Sequence, residues 1–299
     1  MKPFTAALAL LLLVTPAGAA TIAELEKAYA AGDFAVAVQD AKELAKTGDV
    51  KAMSLLGRMY RKGQGKPAET DTAIAWLTRA AEKNDADAQL TLGLVYLEQN
   101  AGRFDFAKGE AMMRRAAEAG NAEAQFNMGL LASGAFDNPP DFRRAAEWFS
   151  SAAAQGYAAA EYNLGVLYLE GRGVEKNVLQ AADLIGKAAG KGNVDAMLDY
   201  GVLVLRGEGV QQNDKIGAQW LVLSAKHGNV IAQNRVARLY AFGKGVANDP
   251  VEAMTWNILA TRGGRGDAEL DSMLSKLSEE QKAEAQARAD AFTPQQAKP

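Results

Sequence analysis

The sequence repeats itself with a period of 36 residues, and this period constrains the fold more than any other feature. A hexad that begins with alanine recurs at this spacing without a gap: AMSLLG (52–57), AQLTLG (88–93), AQFNMG (124–129), AEYNLG (160–165), AMLDYG (196–201) and AQNRVA (232–237). Six registers at one spacing indicate a repeat protein, in which each unit buries its apolar face against its neighbours.

Each unit is predicted to be a pair of helices, A and B. Helix A places an alanine, a small residue and a large residue on one helical face, as in Ala160, Gly165 and Tyr168. Helix B carries a column of large residues that we expect to be buried: Trp76, Met112, Trp148, Leu184, Trp220 and Trp256. Small side chains let the paired helices approach each other, and large ones fill the space beside them.

Two further columns predict where helix B begins and ends. An Asp or Asn at the start of the helix accepts a hydrogen bond from a free backbone N–H. Such a cap stabilises the helix by about 1 kcal/mol. This column reads Asp33, Asp105, Asp141, Asn177, Asn213 and Asp249. Glycine at the end closes the helix in a left-handed conformation without a Cβ clash. That column reads Gly120, Gly156, Gly192, Gly228 and Gly264.

A pair of glycines one residue apart follows helix A in four units, as at Gly171 and Gly173. We interpret the pair as a turn, in which one glycine ends helix A and the other allows a sharp return. A phosphate-binding loop would need a Lys followed by Ser or Thr after a strand, and the sequence has neither. The second and third units lose the glycine pair and gain Phe104 and Phe136, which indicates either sequence drift or two partner-binding loops.

These motifs carry a resemblance to a known family. The pattern A-x-x-x-x-[LM]-G, Y-x-x-G-x-G-V, a helix-B tryptophan and AA-x-x-G resembles Sel-one-like repeats, relatives of the tetratricopeptide repeat, over about residues 33–265. The resemblance implies an all-α fold: a right-handed superhelical solenoid of antiparallel helix pairs, with helices A lining a concave groove. It also implies an adaptor or scaffold that binds a peptide segment or a protein partner. Several bacterial members are exported and regulate envelope or signalling systems.

The chain divides into five predicted segments. Residues 1–20 have the basic Lys2, a short apolar run and a small-residue end, which is typical of a cleaved signal peptide. N-terminal capping helices (21–49), six repeats (50–265), C-terminal capping helices (266–292) and a disordered tail (293–299) follow. We therefore expect a periplasmic or secreted protein with no integral membrane segment in the mature chain, because the apolar run is shorter than the ~20 residues of a span.

Composition argues against several kinds of chemistry. The chain has no cysteine, and His227 is its single histidine, so thiolate and two-histidine metal sites are excluded. A net charge of −3 argues against a nucleic-acid partner, since no basic excess exists to neutralise phosphates. The sequence contains no catalytic motif such as G-x-S-x-G or H-E-x-x-H. We expect a monomer that is not an enzyme and that uses no catalytic residue, metal or cofactor.

The candidate partner site lies on helix A. In tetratricopeptide geometry, the positions three before and one after the helix-A glycine tend to face the groove. Here both columns are apolar in the middle four repeats and polar at both ends, and a mostly polar column runs between them. The predicted site comprises Leu90, Leu94, Phe126, Asn127, Leu130, Tyr162, Asn163, Val166, Leu198 and Asp199. An apolar strip with a polar rim suits an amphipathic helix or an extended peptide.

Three alternatives remain open from the sequence. The apolar columns could simply pack helix A against its neighbours. The site could instead lie at the loops of Phe104 and Phe136. The protein could also be associated with cell-wall carbohydrate, with weak or no hydrolytic activity, if the tryptophans stack on sugars rather than fill the core.

Overall fold

The computed structural model describes residues 20–99, 103–137 and 139–296. Within these ranges the chain forms sixteen α-helices and one 3-10 turn, and no strand. The predicted signal peptide lies outside the described residues, apart from Ala20. The helices pack into two compact units, of which one ends at Ala119 and the other begins at Gly120. The all-α fold of antiparallel helix pairs, repeated every 36 residues, is confirmed.

The helices alternate between the A type (odd numbers) and the B type (even numbers). The first unit contains α1 (Ile22–Ala30), α2 (Phe34–Lys46), α3 (Val50–Lys62), α4 (Thr70–Glu82), α5 (Ala86–Leu97) and α6 (Phe106–Glu118). The second unit contains α7 (Ala122–Ala132), α8 (Phe142–Ala154), α9 (Ala158–Glu170), α10 (Val178–Gly190), α11 (Val194–Arg206), α12 (Asp214–Lys226), α13 (Val230–Phe242), α14 (Pro250–Arg262), α15 (Ala268–Leu274) and α16 (Glu279–Ala291). A 3-10 turn, Ala135–Asp137, follows α7.

The helix-A glycine is a point of close contact in the five helix pairs that have it. A Cβ atom added to Gly165 would lie 2.7 Å from Cγ1 of Ile185, and one added to Gly129 would lie 2.4 Å from the Phe149 ring. The facing helix-B residue is fully buried in all five pairs that have this glycine: Leu77, Met113, Phe149, Ile185 and Leu221. The small side of helix A therefore receives one large side chain from helix B, as close helix packing requires.

The tryptophan column is less buried than the sequence predicted. Trp76, Trp148 and Trp220 are half-buried, and Trp256 alone among the tryptophans is buried. The fully buried column is the next residue along helix B, so the prediction was wrong by one position. A step of one residue turns a helix by about 100°, and the tryptophans therefore lie at the flank of the contact.

The predicted helix-B caps are confirmed. The Oδ1 atoms of Asn177 and Asp141 each accept a backbone hydrogen bond at 3.0 Å, from Gln180 and Arg144, and the rest of the column caps its helices in the same way. The five glycines of the predicted column after helix B all have positive φ. A further column, absent from our predictions, caps helix A: Asp49, Asp85, Asn121, Asn193 and Asn229. Tyr157 takes this position before α9 and makes no side-chain cap.

The two glycines of the turn are required for different structural reasons. Gly171 ends α9 in the left-handed conformation, with a φ of 70°. Gly173 also has positive φ, and a Cβ atom there would lie 2.1 Å from the carbonyl carbon of Phe142, at the start of α8. The second glycine therefore lets the turn touch the backbone of the preceding helix B, and only a residue without a side chain fits.

The described range has local capping contacts near both of its ends. Thr21 and Glu24 form a capping box at α1, and Ser278 and Gln281 form a second one at the start of α16. In the predicted disordered tail, residues 297–299 lie outside the described residues. Its described part is attached, because the Gln295 backbone N–H donates to the Lys226 carbonyl at 2.9 Å.

Candidate functional site

The predicted site residues lie on four A helices. Leu90 and Leu94 belong to α5 in the first unit, where Leu90 is buried, with 6% of its surface exposed, and Leu94 is half-buried. The others lie on α7, α9 and α11 in the second unit, where Leu198 is buried, with 8% exposed, and the remainder are half-buried. The apolar strip is thus partly core and partly surface.

Phe126 belongs mainly to the core of the second unit. Its ring centroid lies 5.8 Å from that of Phe149 and 5.2 Å from that of Tyr157. Aromatic pairs at such distances stabilise a fold beyond the area they bury. This residue therefore packs α7 against α8 and the start of α9, and its removal would affect stability as well as any partner contact.

Tyr162 and Asp199 connect two consecutive A helices. The Tyr162 hydroxyl on α9 donates a hydrogen bond of 2.9 Å to Oδ2 of Asp199 on α11. Burial raises the pKa of the Asp199 carboxyl, while the hydrogen bond from Tyr162 partly offsets that rise. The pKa of Tyr162 is raised too, first by burial and then by the charge of Asp199. The predicted polar column thus contributes to an inter-helix contact.

The two asparagines of the same column bond to their own helices. Nδ2 of Asn127 donates to the Glu123 carbonyl at 2.7 Å, and Nδ2 of Asn163 donates to the Ala159 carbonyl at 2.8 Å. Each side chain keeps a second N–H and an amide oxygen for other contacts. They lie beside half-buried apolar residues and can supply hydrogen bonds to a bound peptide.

One apolar column is half-buried at each of its four positions. It lies one residue after the helix-A glycine and contains Leu94 in the first unit, and Leu130, Val166 and Val202 in the second. The other apolar column, three residues before the glycine, is buried at Leu90 and Leu198 and half-buried at Phe126 and Tyr162. The column after the glycine is thus the better candidate for a partner surface in the second unit.

The polar residues at the two ends of the columns have different environments. At the C-terminal end, Nε of Arg238 donates to Asp267 at 2.7 Å and Nη2 donates to Glu269 at 3.0 Å. Burial raises the pKa of the Asp267 carboxyl, but the hydrogen bonds from Arg238, the Leu270 backbone N–H and Asn234 together outweigh burial and leave the pKa lowered. This end is closed by the capping helix α15. At the N-terminal end, Ser54 and Arg58 line a cavity instead.

The cavity at Ser54 and Arg58 was not among our predicted sites. The available signal was the change from apolar to polar residues in the first repeat, which we had interpreted as the end of the strip. The alternative loop residues are exposed, Phe104 by 46% and Phe136 by 36%. Phe136 also has a φ of 58°, which is uncommon for a large side chain. A role for these loops stays a prediction.

The described ranges contain neither a cluster of metal-ligating side chains nor a helix suited to span a membrane. No group of three or more His, Cys, Asp or Glu side chains in this part of the chain could hold a metal ion. None of the helices described above combines the length and the apolar character that crossing a membrane requires.

The fold and the packing of helix pairs define the class: an all-α helical-repeat protein. A profile of the Sel1 repeat matches six consecutive segments, at residues 50–85, 86–121, 122–157, 158–193, 194–229 and 230–264. The chain belongs to the Sel1 repeat family, whose members are generally non-catalytic scaffolds for protein interactions. A comparison with curated protein sequences gave no match.

Solved structures support the same assignment. The chain is similar to c5321, a protective antigen present in uropathogenic Escherichia coli strains that displays an SLR fold, with 26% identity and a TM-score of 0.78. That match covers 90% of this chain and 59% of c5321, so the chain spans little more than half of that relative. A Sel1 repeat protein from Oxalobacter formigenes is 30% identical, with a TM-score of 0.73, over 81% of this chain and 100% of the other.

Proposed function

We propose that this protein is an exported, monomeric adaptor that binds a peptide segment or protein partner through the A helices of its second unit. The observation that carries the proposal is the half-buried column of Leu130, Val166 and Val202, one residue on each of three consecutive A helices. Half-exposed apolar side chains in register, with Asn127 and Asn163 beside them, offer both apolar contact and hydrogen bonds to a partner.

The sequence of residues 1–20 supports placing this adaptor in the periplasm or outside the cell, where it would act on an envelope or signalling system. Mass spectrometry of the protein from its native host should give a chain that begins at Ala20 or Thr21. A protein that retains Met1 would contradict export by a cleaved signal peptide.

The partner surface is tested by charge substitution. Val166→Lys places a charge in the proposed surface, and Leu179→Lys is the matched control on α10, where the leucine is 73% exposed. We expect Val166→Lys to weaken binding of the isolated native partner at least about tenfold, as burial of an unpaired charge predicts. The control should bind like wild type. Equal binding by both variants would place the partner surface elsewhere.

The tryptophans give little support to the carbohydrate alternative. The Arg79 guanidinium lies over the Trp76 ring, 4.8 Å from its centroid. The Trp220 ring meets Tyr200 edge to face, at 5.6 Å. In both cases a protein side chain contacts the ring that would have to stack on a sugar.

A further inference from the structure

The first unit contains a cavity of 280 Å³ that the proposed partner surface does not use. Residues of α1, α3 and α5 line it, with Ile22, Tyr29 and Leu55 as its apolar part. Its polar part consists of Glu26, Lys51, Ser54, Arg58, Asp85 and Asp87. A mixed lining of this kind, with a few polar groups that converge on one space, is typical of small-ligand sites.

Two hydrogen-bond donors in this cavity are buried without an acceptor. Ser54 is 2% exposed, and its Oγ has no hydrogen-bond partner. Nε of Arg58 is also buried and has none. The two residues are four positions apart on α3 and thus lie on the same side of the helix. Because a buried donor without a partner destabilises a fold, the pair indicates an acceptor that comes from a ligand.

The sixth repeat shows how the equivalent residues are satisfied by the chain itself. Asn234 and Arg238 occupy the positions of Ser54 and Arg58. Arg238 donates from Nε to the Asp267 carboxylate and from Nη2 to the Glu269 carboxylate. A carboxylate is therefore an acceptor that this position of the repeat already binds, and at Arg58 the same Nε atom has no such acceptor.

The other charges of the cavity restrict the ligand further. Glu26, Asp85 and Asp87 contribute three negative charges, which exceed the two positive charges of Lys51 and Arg58. Oδ1 of Asp85 also caps α5, where it accepts from Ala88 N at 2.7 Å. These carboxylates repel a dianion such as phosphate and attract a positive group next to the ligand's carboxylate. The ligand is therefore expected to be zwitterionic.

We propose that this cavity binds the carboxylate of an amino-acid residue that also carries a positive charge. The carboxylate accepts hydrogen bonds from Oγ of Ser54 and Nε of Arg58, and the positive group lies near the acidic side of the cavity. Such a residue can be a free amino acid or the C-terminal residue of a peptide that ends in Lys or Arg. The proposal stands independently of the partner surface in the second unit.

The ligand chemistry is tested by calorimetry on the mature full chain with four probes: L-lysine, N-acetyl-Ala-Lys with a free carboxylate, its C-terminal amide, and inorganic phosphate. We expect at least one carboxylate probe to bind at least about tenfold more tightly than the amide, because the amide cannot accept charge-assisted hydrogen bonds. Binding of L-lysine identifies a free amino acid as the source, and binding of the peptide alone identifies a chain end. No binding by either, equal binding of the amide, or preferred binding of phosphate would overturn the proposal.

Two variants in the cavity and one matched control separate ligand binding from folding. Arg58→Gln should weaken binding of the carboxylate probe at least about tenfold. The matched Arg238→Gln variant should bind the probe as tightly as wild type does. Ser54→Ala should weaken binding several-fold and leave the melting temperature unchanged or higher, because it removes a buried hydroxyl without a partner. The assignment of these donors fails if Arg58→Gln or Ser54→Ala binds the probe as wild type does.

Discussion

The Tyr162 hydroxyl donates to the Asp199 carboxylate at 2.9 Å and joins α9 to α11. This contact couples the predicted partner surface to the stability of the second unit. Because partial burial disfavours the charged form of Asp199, its pKa is raised, so the folded chain favours the protonated form relative to the unfolded chain.

The first prediction follows from this shift. A carboxyl whose folded pKa is raised contributes stability that is fully present below its unfolded pKa of about 3.9 and is lost as the pH rises through the folded pKa. Asp199→Asn removes this loss. The free energy of unfolding of the variant, measured by denaturant titration at several pH values, should therefore rise relative to wild type as the pH increases above about 4.

Tyr162→Phe serves as the companion variant. The hydrogen bond from Tyr162 lowers the pKa of Asp199, so its removal should extend the loss of stability to higher pH. If the free energy of unfolding changes with pH in the same way for wild type and for Asp199→Asn, the pKa of Asp199 is not raised in the folded chain.

A second prediction concerns the contact between helices A and B. Gly165→Ala would place a Cβ atom 2.7 Å from Ile185 Cγ1 and 3.2 Å from the Ala181 carbonyl oxygen. We expect a loss of about 1–3 kcal/mol in the free energy of unfolding, since overpacking displaces neighbouring atoms.

Gly190→Ala is the matched control for this packing effect. Gly190 lies in α10, and a Cβ atom there meets nothing within 4 Å. Alanine should stabilise this helical position by about 0.5–1 kcal/mol. Equal effects of the two substitutions would mean that Gly165 is not the point of closest approach.

A third prediction concerns burial along helix B. Phe149 is 1% exposed and faces the helix-A glycine Gly129, whereas Trp148 is half-buried. Phe149→Ala should lower the free energy of unfolding by about 3–5 kcal/mol, as deletion of a buried aromatic side chain does. Trp148→Ala should lower the free energy of unfolding clearly less than Phe149→Ala does. Denaturant unfolding of the two variants would contradict this order if Trp148→Ala were the more damaging.

The comparison of Phe149 with Trp148 shows what the sequence can and cannot predict. Period, helix limits and caps are local, so α2 (Phe34–Lys46) and the cap at Asn177 follow from columns of residues alone. The depth of burial depends on how the neighbouring helix is rotated, and a column of large residues does not give this. The contact between Tyr162 and Asp199 also needs the register of two helices, which the repeat spacing does not specify at the level of single atoms.

A fourth prediction uses a natural exchange between two repeats. Lys191 Nζ donates to the buried Glu161 carboxylate at 2.7 Å and to the Gly156 carbonyl at 3.0 Å. One repeat earlier, Nε2 of Gln155 makes the same two contacts with Gln125 and the Gly120 carbonyl. A charged pair and a neutral pair thus occupy equivalent places in the repeat.

Lys191→Gln alone should destabilise the fold, because it leaves the buried carboxylate of Glu161 without its cation. The double variant Glu161→Gln with Lys191→Gln should recover most of that loss, because it recreates the neutral pair. A double-mutant cycle on the free energy of unfolding measures the coupling. If the double variant is as unstable as the sum of the two single variants, the two pairs are not equivalent.

The central claim is that a partner binds the A-helix side of the second unit. It is tested most directly by site-specific photo-crosslinking in the native host, with the crosslinking residue at Asn163 on α9 or, as control, at the exposed Gln180 on α10. We predict a discrete protein adduct from position 163 that is lost in the Val166→Lys background, and none from position 180. Adducts from position 180 alone, or adducts from position 163 that persist with Val166→Lys, would contradict the claim.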